Sequence, residues 1–138
     1  MKKKTKSIWV CIVLALCVSV QSDPIDRKKI EAVKVKLIKH KIKCVDIVIN
    51  QVRLETANLT APTYTIHRNL FGFKRNGKVM HFQKEEESIE RYKKYIQVHY
   101  KGKRNYYDFL KCMYTWDDDG RCQPYCPDEN YIKLLKQF

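Results

Sequence analysis

The sequence predicts an all-α domain, and three stretches carry that prediction. Residues 27–53 repeat apolar side chains every three or four positions, as one face of a helix requires. Residues 83–98 run from acidic to basic, the order that complements a helix dipole. Residues 105–116 repeat aromatic and apolar side chains at helical spacing. Between these stretches lie prolines, glycines and polar residues that favour turns.

The N-terminal segment has the features of a secretory signal peptide. Four lysines precede an uncharged apolar run of 13 residues, Ile8 to Val20, and Val20 and Ser22 stand at −3 and −1 of a cut before Asp23. The run is shorter than the ~20 residues that a membrane-spanning helix needs. We therefore expect residues 1–22 to be removed, which leaves a secreted chain without a membrane span.

The remaining chain, residues 23–138, has the length of one domain. Removing the four lysines of the signal segment leaves 24 basic against 15 acidic residues, a net charge of +9. Such an excess draws a protein toward polyanions or anionic surfaces, although it also suits a well-solvated surface.

Four cysteines remain after cleavage: Cys44, Cys112, Cys122 and Cys126. In a short secreted chain an even number predicts disulfides, here two with three alternative pairings. The spacing offers no second close pair for zinc, so no metal or other cofactor is predicted. Asn58 begins the sequon Asn-Leu-Thr and is a candidate glycosylation site on an exposed loop.

The first helix is predicted from Arg27 to about Arg53, with Asp26 as its N-cap. One apolar stripe runs from Val35 to Val52, and a neighbouring stripe runs from Ile30 to Val48. The remaining wedge is a ridge of lysines. Residues 44–54 are also rich in β-branched side chains, which leaves a strand as the alternative for that part.

The middle of the chain predicts a break, a short helix and a turn. Residues 55–65 are small and polar, and a helix could restart after Pro62 and end at Gly72. Asn76-Gly77 then predicts a tight turn, which could also close a β-hairpin. The flanking segments are too short to favour the hairpin.

Glu85, Glu86 and Glu87 open the next helix, residues 83–98. Adjacent positions on a helix point to different sides, so we interpret these carboxylates as helix stabilisation and not as a metal or acid–base site. The inward face is predicted to carry Ile89, Tyr92, Ile96 and His99.

A basic loop, residues 101–104, leads into the helix predicted at 105–116. The run 117–120 predicts a turn, because it lacks the alternating carboxylates of a calcium loop. Asp128 can cap a last helix that contains Ile132, Leu134 and Leu135.

The sequence contains none of the common catalytic motifs. The four histidines do not pair at metal-ligand spacing, and neither a nucleophile elbow nor a phosphate-binding glycine loop occurs. The sequence therefore favours a binding protein over an enzyme.

One region carries a family resemblance. Leu70-Phe71-Gly72-Phe73, then residues 76–79, a charged helix and a helix bearing Cys112 resemble the third-to-fifth-helix region of insect odorant-binding proteins. Within that superfamily the basic loop leading into residues 106–112 is most similar to small basic salivary proteins of blood-feeding flies, particularly the sand fly type. The chain departs from the family in two respects: one of three cysteine bridges is missing, and the final cysteine pair is closer.

The resemblance implies a compact bundle of about six helices, here with two disulfides. The cysteine pairing cannot be carried over, and our working assignment is Cys44 with Cys122 and Cys112 with Cys126. The resemblance also implies two functions, since the superfamily contains carriers of hydrophobic ligands and salivary members that bind anionic polymers and blunt surface-triggered coagulation.

The leading hypothesis is a secreted, monomeric binding protein for sulfated glycans, polyphosphate or nucleic acid. Its predicted anion-binding residues form two clusters: Lys28, Lys29, Lys36, Lys39 and Lys43; and Arg91, Lys93, Lys94, Lys101, Lys103 and Arg104. The alternative is a carrier of a small apolar ligand, with a pocket lined by aromatic side chains: Tyr64, Phe71, Tyr92, Phe109 and Trp116. An inhibitor of a host protein is a third class.

Overall fold

In the computed structural model the described residues are 24–115 and 120–138. They contain six α-helices: α1 (Pro24–Lys39), α2 (Val45–Glu55), α3 (Pro62–Thr65), α4 (Glu85–Tyr95), α5 (Tyr106–Lys111) and α6 (Tyr131–Leu135). A 3-10 helix, Gln97–His99, follows α4. The prediction of an all-α fold is confirmed in part, since the described residues are mostly helical and also contain short strands. The signal segment, Trp116 and most of the 117–120 turn lie outside the described residues.

Two short antiparallel sheets accompany the helices. Strands β1 (Lys74–Arg75) and β2 (Lys78–Val79) pair on either side of Asn76-Gly77, so this turn closes a hairpin. Preferring an isolated turn was wrong. Asn76 and Gly77 both have positive φ, the conformation that a two-residue hairpin turn requires. Strands β3 (Tyr114–Thr115) and β4 (Cys122–Gln123) form the second sheet.

The single helix predicted over 27–53 was wrong, because the chain breaks between α1 and α2. Lys41 and Cys44 have left-handed φ values of 58° and 55°, which a helix cannot contain. The apolar stripe predicted from Val35 to Val52 is therefore not one buried face, since Val35 and Ile38 are 56% and 57% exposed. The alternative strand at 44–54 is also excluded, since 45–55 is helical.

Three other helices are shorter than predicted. The helix after Pro62 ends at Thr65, well before Gly72. The helix predicted over 105–116 ends at Lys111, because the chain then enters β3. Helix α4 gives way to the 3-10 helix, which changes the register and leaves His99 exposed although Ile89, Tyr92 and Ile96 are buried.

One core joins these elements. It contains the apolar side chains of all the longer helices and of the 70–73 segment. Its fully buried members include Leu37, Val48, Val52, Leu70, Ile89, Phe109, Leu110 and Leu135. None of the helices that the structure describes combines the length and the apolar character needed to cross a membrane.

The cysteine assignment was wrong. Among the described residues one disulfide forms, between Cys112 and Cys122, whose Cα atoms are 5.0 Å apart. Pairing of β3 with β4 brings these two cysteines together, whereas Cys44 lies at the start of α2 with its thiol 3.7 Å from the hydroxyl of Tyr100. Both assumed pairings are thereby excluded.

Candidate anion-binding surface

Side-chain contacts link α1 to α4, and their order shows that the two helices run in the same direction. The ammonium of Lys36 contacts Glu85 at 2.7 Å and Glu86 at 3.1 Å. One turn further along both helices, His40 Nδ1 lies 2.5 Å from Glu90 Oε1. Since higher numbers on α1 meet higher numbers on α4, both helices end at the same side of the molecule.

We call this line of contacts between α1 and α4 the seam. It continues in the chain beyond the C-terminus of each helix. The carboxamide of Gln97 forms two hydrogen bonds with the peptide groups of Lys43, at 2.7 and 2.8 Å. The ammonium of Lys43 donates to the carbonyl of Tyr100 at 3.4 Å and lies 5.9 Å from the centre of its ring. The break after α1 is therefore held against the segment that leads into the basic loop.

This arrangement brings lysines from three segments together at the C-terminal end of the seam. Lys93 shares a face of α4 with Glu86 and Glu90, since positions three and seven apart lie near one another on a helix surface. That face meets α1. We name the exposed lysines at this end the seam-end surface: Lys39, Lys41, Lys43, Lys93, Lys94, Lys101 and Lys103.

Some of this charge also serves the fold. Helix C-termini carry partial negative charge, and lysines near them are stabilising. Lys101 donates to the carbonyl of Val98 at 3.1 Å. Lys39, Lys93 and Lys103 have exposed side chains, and within the described residues they form no ion pair or hydrogen bond. These three remain available to a ligand.

Three of the predicted binding residues hold the fold instead. Lys36 pairs with two carboxylates of α4. The guanidinium of Arg91 lies over the rings of Phe73 and Tyr95, at 5.5 and 4.6 Å from their centres. Arg104 donates to the carbonyl of Cys112 and thereby ties the basic loop to the end of α5. Each of these three cations contacts a carboxylate, a ring or a carbonyl of the protein, although Arg104 remains exposed.

Lys28 and Lys29 are exposed, but they lie near the other end of α1. Ten residues of helix span about 15 Å. That is longer than the screening length of about 8 Å at physiological salt, so their field adds little at the seam-end surface. The predicted ridge along α1 is thus divided into two separate groups.

Lys41 is the member of the surface that the sequence did not single out. A continuous helix would place it away from the lysine wedge, whereas its left-handed backbone ends α1 and leaves the side chain exposed. A non-glycine residue with positive φ has no signature in the apolar pattern. Only the packing around the break reveals it.

Three of the five aromatic residues proposed to line a pocket are packed against other rings: Phe71, Tyr92 and Phe109. Phe71 stacks on Tyr92 with the ring centres 4.1 Å apart. Phe109 contacts Tyr100 and Tyr106 at 5.2 and 5.1 Å. These rings are buried in the core. Tyr64 is partly buried against the same core and donates to Glu85 at 2.6 Å, and Trp116 is outside the described residues.

A chain of buried polar groups runs between these rings. Gln97 Nε2 donates to Tyr106, the hydroxyls of Tyr106 and Tyr92 lie 2.7 Å apart, and Tyr92 donates to Gln51 Oε1 at 2.5 Å. Gln51 Nε2 then donates to Tyr131 at 3.3 Å. Because each buried group has a partner, the chain can cross the core at little cost.

Burial governs the acid–base behaviour of these phenols. It raises the pKa of Tyr92 well above the usual value, and it raises the pKa of Tyr106 as well. Burial and the neighbouring Glu85 carboxylate raise the pKa of Tyr64 to about 12. All three phenols are therefore neutral at physiological pH, and they act as hydrogen-bond donors without adding charge.

Two further predicted positions are placed by the structure. Asn58 has φ of 56° and a half-buried side chain whose Oδ1 accepts a hydrogen bond from Arg53 Nε at 3.0 Å. Glycosylation there stays a prediction. Within residues 24–115 and 120–138 no three histidine, cysteine or carboxylate side chains come together as metal ligands.

No protein-family model matches the chain, and comparison with curated proteins and with solved structures finds no similar protein. Function must therefore be argued from the surface that the chain itself builds.

Proposed function

We propose that the protein is a secreted binding protein whose seam-end surface engages anionic polymers or surfaces, such as sulfated glycans, polyphosphate or nucleic acid. The proposal is supported by seven exposed lysines on segments about fifty residues apart in sequence, which the contacts of Lys43 with Gln97 and Tyr100 hold close to one another. Lys43 and Tyr100 join those segments directly.

The balance of charge at this surface favours a polymeric anion. The Glu90 carboxylate lies close to the C-terminal end of α1, where it is paired with His40. A polymer that neutralises several lysines releases its own condensed counterions, which gives affinity at low salt and a steep loss of affinity as salt rises. A scattered set of surface lysines would give a weaker field and a shallower salt dependence.

The test compares two triple variants that remove equal charge. Lys39→Gln, Lys93→Gln and Lys103→Gln together remove one lysine from each segment of the surface. Lys28→Gln, Lys29→Gln and Lys133→Gln together remove three exposed lysines elsewhere. Binding of fluorescent heparin and of polyphosphate is measured by anisotropy across a salt series.

The seam-end variant should bind at least about tenfold more weakly, and its salt slope should fall by about two, since each phosphate contact contributes about 0.7 to 0.9 to that slope. The control variant should lose less than about threefold. Equal losses of affinity in both variants would show that net charge, and not the seam-end surface, determines binding, which would overturn the proposal. Affinity that does not change with salt would also overturn it.

A functional assay follows from the resemblance to salivary proteins. If the bound polymer is the biological target, the protein should delay plasma clotting triggered by an anionic surface, and the seam-end variant should delay it less than the control variant. Equal delay by both variants would separate the anticoagulant role from this surface.

A further inference from the structure

The β1–β2 hairpin carries two exposed cations, and its base is anchored in the core. Asn69, fully buried, accepts hydrogen bonds from the amides of Phe71 and Phe73 and donates to the carbonyls of Phe73 and Met80. Phe73, just before the hairpin, and Phe82, beyond it, are both buried. These contacts set the position of the hairpin relative to the core.

The strand register places two cations opposite each other. Arg75 pairs directly with Lys78 across the turn, and both are exposed. Side chains at directly opposed positions have Cβ atoms about 5 Å apart, where like charges destabilise a sheet. Neither cation forms an ion pair with a described residue. An anion between them would relieve this repulsion.

A groove of about 400 Å³ lies at the same place. Its lining joins the two cations to polar and apolar neighbours: Arg75, Asn76, Lys78, Val79, Met80 and His81. The lining contains no carboxylate. The volume falls at the lower end of the range for small-molecule sites, about 300 to 1,000 Å³.

The groove is separate from the seam-end surface. Phe73, at the base of the hairpin, contacts the guanidinium of Arg91. Arg91 points about 100° around α4 from Glu90, which faces α1. The groove and the seam-end surface share no residue, and no residue of α4 lines the groove.

We infer that this groove binds a phosphate or sulfate monoester. Arginine offers paired donors that match a tetrahedral oxyanion, and lysine adds a second positive charge. Asn76 and His81 add side chains that can form further hydrogen bonds with the ligand. Val79 and Met80 present an apolar wall for the carbon body of the ester. The inference does not depend on polymer binding at the seam-end surface.

The experiment is an NMR titration of the whole protein with inorganic phosphate, inorganic sulfate, glucose 6-phosphate, a sulfated heparin disaccharide and glucose. The esters should shift the amide signals of residues 75–81, and glucose should not. Tighter binding of glucose 6-phosphate assigns the groove to phosphate monoesters, and tighter binding of the disaccharide assigns it to sulfated sugars.

Lys78→Gln and Lys74→Gln form a matched pair, because both remove one charge from the same hairpin and only Lys78 lines the groove. Lys78→Gln should weaken ester binding at least fivefold, and Lys74→Gln less than twofold. Arg75→Lys keeps the charge but loses the paired donors, so it should also weaken binding.

Equal effects of the two lysine variants would overturn the inference, as would shifts confined to residues 93–103. Laurate is titrated in the same way, and tighter binding of laurate than of either ester would also overturn the inference, because the groove would then recognise an apolar chain. The seam-end triple variant should retain ester binding, so failure of one proposal is distinguishable from failure of the other.

Discussion

Gln97 holds both peptide groups of Lys43: its Oε1 accepts from the Lys43 amide at 2.7 Å, and its Nε2 donates to the Lys43 carbonyl at 2.8 Å. These two hydrogen bonds fix the positions of Oε1 and Nε2 in the Gln97 carboxamide. Nε2 therefore also donates to Tyr106, which leaves the Tyr106 hydroxyl to donate to Tyr92 and Tyr92 to donate to Gln51. One side chain thus sets the break after α1 and the direction of the buried polar chain.

Gln97→Met should destabilise the protein by about 2 to 4 kcal/mol. The substitution preserves side-chain length but leaves the Lys43 amide and carbonyl without their partners, and unsatisfied buried groups cost about 1 to 3 kcal/mol each. Urea unfolding measures the loss. Gln137→Met, at an exposed position, is the control and should change stability by less than about 0.5 kcal/mol. Similar values for both variants would contradict this role.

Stability should fall steeply above about pH 10. The folded pKa values of Tyr92 and Tyr106 lie above that of an unfolded tyrosine, about 10. Their contribution is therefore complete below pH 10 and is lost as pH rises beyond it, by about 1.4 kcal/mol per pH unit for each phenol. Urea midpoints and tyrosine absorbance across this range provide the measurement. Ionisation of both phenols near pH 10 in the folded protein would refute the expectation.

Peptide mapping under non-reducing conditions should recover Cys112 linked to Cys122. Replacing both by serine should lower stability by about 2 to 3 kcal/mol, because the bond closes a loop of about ten residues and restricts the unfolded chain. The loss should appear in the unfolding free energy with the helical circular dichroism retained. Recovery of a Cys44–Cys122 peptide would show that a different topology is present.

Lys36→Met should cost about 1 kcal/mol, since a half-exposed ion pair contributes at most about that amount. A backbone hydrogen bond and Lys36 lower the pKa of Glu86, so its contribution is present above the unfolded value of about 4.3 and is lost as pH falls through the folded value. The variant should therefore lose stability less steeply in acid. Lys39→Met, which breaks no ion pair, is the control. Identical dependence of stability on pH in the two variants would show that the Lys36 ion pairs do not contribute to stability.

The helical core was largely readable in advance because apolar spacing reports which face is buried. Ile89, Tyr92, Ile96, Phe109 and Leu110 are all buried, as their spacing predicted. The same periodicity failed where a backbone turn intervened. A break such as that at Lys41 needs no glycine or proline when tertiary hydrogen bonds support it, so composition did not reveal it.

For the seam-end surface and the hairpin groove, too, the sequence predicted part of the arrangement and the tertiary structure decided the rest. The sequence supplied the excess of lysines and identified most of the seam-end surface, but it also included Lys36, Arg91 and Arg104. A charge run does not show which cations will meet a carboxylate, a ring or a carbonyl. The groove between Arg75 and Lys78 was not found at all, because its cations face each other only when the hairpin register is known.

By itself the sequence determined that the chain is helical, strongly basic and built around an aromatic core, because periodicity, charge and composition are local properties. The tertiary structure decided where α1 ends, which cysteines pair and which lysines remain exposed together. Those outcomes depend on contacts between residues 10 to 57 positions apart, such as Cys112 with Cys122 and Lys43 with Tyr100. Local spacing carries no information about such partners until the chain has folded.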